Sequence, residues 1–198
     1  MNSALDEADD TEAPPSSVFV GSVYKSIRWA LCDLLLRLGS SDDHEPSELP
    51  PLLDDLESVL YLVERYQDHE ERRIYPIVKD VAPTAIQRLL VQHHQQTKEI
   101  AHLRQLANSA EHADHGSNTT LERLYLEFSR FVANTLTHLY DEEITTTQAL
   151  LLVRDNTFAT RLQASILNDM GPDERALFRR ALLPSTRPTW RRHVGLSR

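Results

Sequence analysis

Apolar residues return at alternating steps of four and three along this chain, and that rhythm leaves few folds open. In the first stretch, Val18 to Leu38, the line is Val20, Tyr24, Ile27, Leu31, Leu34 and Leu38. A second, from Ser47, runs Leu52, Leu56, Val59, Val63, Tyr66 and Glu70. A third opens at Pro83 and carries Ile86, Leu89, Leu90, His93, Thr97, Ile100 and Leu103. The fourth, and most regular, runs Leu121, Leu124, Phe128, Phe131, Thr135, His138 and Glu142. Steps of four and three follow one face of an α-helix, whereas a strand would repeat every second residue. The gaps between the stretches are turn-rich or polar: Gly39 to Asp43, Lys79 to Pro83, and Glu111 to Asn118. Pro50 and Pro51 fit a first helical turn, and Thr119-x-x-Glu122 fits a capping box. Long helices with short connections pack as antiparallel neighbours. The expected fold is therefore all-α, an up-down-up-down four-helix bundle with extra C-terminal helices.

With only 5 glycines in 198 residues, and 40% hydrophobic and 26% charged residues, the composition agrees with an all-helical protein. Residues 1–17 are acidic and contain Pro and Ser, and are expected to be a disordered segment. The bundle is expected over 18–153, followed by a helical appendage over 154–185 (helices at Thr157 to Met170 and Pro172 to Leu183) and an Arg-rich basic tail over 186–198. A net charge of -9 argues against nucleic acid as a partner, because phosphate contacts need a basic face. No apolar run approaches the roughly 18 residues of a membrane span. The N-terminus lacks the basic start and apolar core of a signal peptide, so a cytoplasmic protein is expected. The single cysteine, Cys32, is expected in the core and excludes an intrachain disulfide. There is no phosphate loop, dinucleotide fingerprint or nucleophile triad to assign an enzymatic reaction.

Polar side chains interrupt the apolar lines, and a polar residue on a buried stripe is informative. They are Tyr24 on the first helix, Tyr66 and Glu70 on the second, His93 on the third, and His138 and Glu142 on the fourth. Two of these segments share one phrase: Tyr66-x-x-x-Glu70-Glu71 and His138-x-x-x-Glu142-Glu143. A step of four puts both side chains on one helix face, and bundle cores build metal sites from such groups. Glu70, His93, His138 and Glu142 are thus candidate ligands for one divalent ion, iron above all, with zinc or manganese also suited. The bland reading of the same residues is a relict site in which His and Glu pair with each other. Tyr24 and Tyr66 have two readings as well: phenolate ligands to ferric iron, or phenols that fill volume and bond to a Glu. His93 lies nearer the centre of its stripe than His94. His69 is read as a rim residue, with substitution for the ligand lost at Tyr66 as its alternative, and Arg28 and Arg73 as solvated or snorkelling cations, with neutralisation of Glu70 or Glu142 in the absence of metal as theirs.

From Ser22 to Leu150 the chain resembles the hemerythrin-like (HHE cation-binding) family. The residues that carry the resemblance are Val23-Tyr24-Lys25-Ser26-Ile27-Arg28, Tyr66 to Glu71 with Pro76, Gln92-His93 through Ile100, and His138 to Glu143. Gly171-Pro172-Asp173-Glu174 resembles the tail of a bacterial subgroup. The resemblance implies a four-helix bundle around a non-haem di-iron centre. Tyr24 and Tyr66 stand where the family has ligand His, and Thr97 or Lys98 where many members have a further His. The function implied is non-haem metal binding, with one or two iron ions, in a protein that senses or handles oxygen, nitric oxide or iron. Two rivals stand beside it: a degenerate, metal-free bundle acting as a structural or interaction module, and an oxygen- or peroxide-consuming enzyme. No protein partner is indicated.

Overall fold

A computed structural model describes residues 15–40, 49–112, 118–153, 162, 165–166 and 168–185. Its elements are α1 (Pro15–Ser40), α2 (Leu49–His69), a π-helical turn (Glu70–Ile74), α3 (Tyr75–Val78), α4 (Pro83–Glu111), α5 (Asn118–Val153) and α6 (Pro172–Ser185). Among the described residues there is no strand, and no helix is long and apolar enough to cross a membrane. The described residues are almost entirely helical, as the periodicity predicts. The helix α1 begins at Pro15, ahead of the expected Val18. The first 14 residues, most of the expected Thr157 to Met170 helix, and the basic tail after Ser185 lie outside the described residues.

Packing follows the apolar lines. Contacts join α1 to α2 and α5, and α4 to α2 and α5, so the long helices surround one core. Tyr24, Ile27, Leu31 and Leu34 of α1 are buried there with Leu56 and Val63 of α2, Leu89 and Ile100 of α4, and Phe128 and Phe131 of α5. Each such side chain contributes roughly 1.5–3 kcal/mol by leaving water. Arg104 of α4 bridges to Glu57 and Glu64 of α2, at 2.7 and 2.8 Å, along the outer edge.

Against α1 and α2 lies α6. Its Glu174 accepts His69 Nε2 at 2.7 Å and lies 3.3 Å from Arg65 Nε, while Arg180 pairs with Asp55. His69 is therefore a buried residue rather than a rim residue, because α6 covers the flank of α2 on which it sits. Cys32 departs from expectation in the other direction. It is exposed, since it follows Leu31 by one residue and is turned about 100° from the buried line. Thr97 is exposed too, with Gln96 buried in the position expected for it.

Phe128 has no exposed surface and Leu152 is 80% exposed. Urea unfolding is expected to show Phe128→Ala losing about 3–5 kcal/mol and Leu152→Ala changing by less than about 0.5 kcal/mol. Equal losses would contradict this placement of the core.

Candidate metal centre

The second helical stretch does not run as a uniform α-helix to Val78. Pro76 has no N–H to donate, and its ring would collide with the carbonyl four residues back in a regular helix. The chain widens just before it. The Tyr75 N–H bonds to the Glu70 carbonyl five residues earlier, closing a π-turn. Residues five apart, Glu70 and Tyr75, are thereby brought to a common face. Both are buried.

The structure gathers four of the six candidates. One ligating atom from each of Glu70, His93, His138 and Glu142 lies within 4.8 Å of all the others. All four residues are at most 3% exposed. The nearest separations are 3.0 Å between His93 Nε2 and His138 Nε2, 3.4 Å from His138 Nε2 to Glu142 Oε2, and 3.6 Å from His93 Nε2 to Glu70 Oε2. Donor atoms bonded to one ion at about 2.0–2.1 Å lie about 3.0–3.4 Å from each other. His94, the alternative to His93, is exposed.

Two acceptors fix how the imidazoles face. His93 Nδ1 lies 2.8 Å from Glu71 Oε1, and His138 Nδ1 lies 2.8 Å from Gln92 Oε1. Both partners are oxygens that accept, so each Nδ1 carries the hydrogen and donates it. Each Nε2 is then left with a lone pair pointing inward. Two lone pairs 3.0 Å apart repel unless a proton or a cation lies between them. Second-sphere acceptors on Nδ1 are the usual means by which a protein orients a ligand imidazole.

The carboxylates add to the same demand. Among the described residues, neither oxygen of Glu70, nor Glu142 Oε2, nor the Tyr66 hydroxyl has a hydrogen-bond partner, although all are buried. Unpaired buried polar atoms are costly. Burial, and then the nearby Glu142 charge, push the Glu70 carboxyl well above the ordinary range. Burial also acts to raise Glu142, but when a proton also occupies the inward nitrogen of His138 or His93, the charged imidazole more than offsets it and holds that carboxyl below its ordinary value. Of the two carboxyls, Glu70 is thus the one favoured to be neutral. Burial, reinforced by His138, keeps His93 below the ordinary imidazole value, against the pull of Glu142.

The two remaining candidates stand at the side of this cluster. Tyr24 is fully buried, its hydroxyl 3.0 Å from Thr146 Oγ1 and its ring edge-to-face with Tyr66 at 5.7 Å. Burial and the two Glu charges raise Tyr24 well above the ordinary phenol value. Burial, then Glu70 and Tyr24, raise Tyr66 in the same way. Both are phenols in the metal-free protein. Arg28 and Arg73 do not approach the carboxylates: Arg28 pairs with Glu143 at 2.8 Å, and Arg73 pairs with Asp169.

Sequence reasoning missed Tyr75, Glu71 and Gln92. The Tyr75 hydroxyl donates to Glu142 Oε1 and lies 3.2 Å from His93 Nε2, with the two rings stacked at 5.5 Å. Steps of three and four from Glu70 point to Arg73 and Ile74. Pro76 is the one signal that the step lengthens to five. One layer away, Gln67 donates to Gln96, whose amide donates to Thr135 at 3.3 Å, so this second polar level is internally satisfied.

A carboxyl held protonated in the folded state stabilises it only while the proton stays on. In the metal-free protein, stability is expected to fall as pH rises from the ordinary carboxylate range, about 4.3, toward the raised value of Glu70. Glu70→Gln removes that loss. Thermal unfolding with a chelator present is expected to find the variant several degrees more stable than wild type at pH 8 and close to it at pH 4. A variant less stable than wild type at pH 8 would contradict the assignment. Comparison of the chain with family models, curated proteins and solved structures gives no match to any of them.

Proposed function

We propose that this chain is a hemerythrin-like, antiparallel up-down-up-down four-helix bundle that binds non-haem iron. In this reading α1, α2 with α3, α4 and α5 form the bundle, and α6 is the appendage. Glu70, His93, His138 and Glu142 hold the ion. The observation that carries the proposal is the inward convergence of two imidazole lone pairs, each ring tied by its outer nitrogen, on three carboxylate oxygens that lack partners. The four-donor set suits one ion.

Each residue has a derivable task. Glu71 and Gln92 hold the tautomers that present Nε2 to the cluster. Glu142 supplies the standing negative charge, and Glu70 a second one once it yields its proton. Two carboxylates and two neutral imidazoles then balance a dication. Burial of all four excludes bulk water and strengthens each attraction. When bound, iron at such a centre supplies Lewis acidity and redox capacity toward a small ligand such as oxygen or nitric oxide. Sensing or handling oxygen, nitric oxide or iron is the function this chemistry supports.

Metal binding requires Glu70 to lose a proton, so affinity is expected to fall as pH is lowered. Anaerobic titration of chelator-treated protein with Fe(II) is expected to saturate at one ion per chain. It should add about 2.7 kcal/mol of stability at one hundred times Kd. His138→Ala should abolish the gain, and Gln92→Leu should weaken binding by about 10–100-fold. No uptake and an unchanged melting temperature would replace this function with that of a metal-free structural or interaction module.

A further inference from the structure

We infer that Tyr75 is a fifth donor of this centre, a phenolate oxygen ligand that fits the site for ferric iron. The inference rests on the metal-binding function proposed above. Its basis is the position of one oxygen. The Tyr75 hydroxyl touches two of the four donor residues at their ligating ends, Glu142 Oε1 and His93 Nε2. Its single hydrogen goes to Glu142. Its remaining lone pairs therefore face a His93 nitrogen that has no hydrogen to give, because that ring's hydrogen is on Nδ1 toward Glu71. Tyr75 Oη, His93 Nε2 and His138 Nε2 thus turn three lone pairs toward one another, with successive separations of 3.2 and 3.0 Å. These spacings are those of neighbouring atoms in one coordination sphere.

The other inner tyrosines lack that placement. Tyr24 spends its hydroxyl on Thr146, and Tyr66 stands on the Glu70 side of the cluster, with no hydrogen bond to either imidazole. The π-turn is what selects Tyr75, since a regular helix would not carry a residue five positions on to the face of Glu70. Phenolate is a hard oxygen donor that favours the trivalent ion. In the binding step the Tyr75 O–H bond breaks, an oxygen–iron bond forms, and the proton passes to solvent. The iron enters as Fe(III) and keeps that oxidation state, so no co-reactant is needed.

The test loads the full chain with ferric citrate and reads bound iron, the visible spectrum and resonance Raman scattering separately. Wild type is expected to bind iron and to show a broad visible band whose excitation enhances phenolate ring vibrations. Tyr75→Phe should retain iron and lose the band. The Tyr24→Phe, Tyr66→Phe double variant should retain both. Bound iron without the band in wild type overturns the inference and leaves the metal site standing, as does a band that survives Tyr75→Phe. Absence of bound iron in wild type overturns both. Where circular dichroism shows Tyr75→Phe to be unfolded, the double variant decides: a retained band supports Tyr75, and a lost band overturns it.

Discussion

Two carboxyl groups enclosed in one apolar interior are the constraint on which this structure turns. Glu70 and Glu142 have no exposed surface and share a cluster with two imidazoles. Enclosing two negative charges together costs far more than a single core methyl group returns. Neutralising Glu70, the direction in which burial and the Glu142 charge push it, relieves part of the cost, and the Tyr75 hydroxyl relieves another part at Glu142. Three carboxylate oxygens remain without partners. A cation is the kind of partner that would satisfy all of them at once.

The rest of the core holds that cluster in place. Above and below it, Ile27, Leu31, Leu89, Ile100, Phe128 and Phe131 form a packed apolar interior from α1, α4 and α5. The outer nitrogens of both imidazoles are tied at 2.8 Å, so the rings cannot turn without losing a hydrogen bond. Beside the cluster, Gln67, Gln96 and Thr135 satisfy each other. That contrast is informative. The same interior closes one polar layer completely and leaves the other open, so the open layer is not a general feature of how this chain packs.

Much of this was legible in the sequence, and the reasons are physical. The four-and-three rhythm specifies helix faces, and the predicted lines on α1 and α5 are buried from Tyr24 to Leu38 and from Leu124 to Glu142. Polar residues on those lines had to come inside, which is why Glu70, His93, His138 and Glu142 could be named. Tyr75 could not be reached in that way, because a π-turn shifts the register by one residue and only Pro76 hints at it. Gln92 and Glu71 lie at the edges of their stripes and act through the outer imidazole nitrogens. His69 looked peripheral because the segment that buries it, α6, lies more than a hundred residues further along the chain. Cys32 and Thr97 show the opposite error, where one step off a buried line turns a side chain to solvent.

X-ray absorption at the iron edge of the Fe-loaded protein tests the central claim most directly, since it reports the atoms around the ion rather than their consequences. The account requires a first shell of nitrogen and oxygen only, with the outer-shell scattering of two imidazole rings, and loss of part of that scattering in His138→Ala. A spectrum of water and carboxylate oxygens alone, unchanged by that substitution, would place the iron elsewhere and contradict the account.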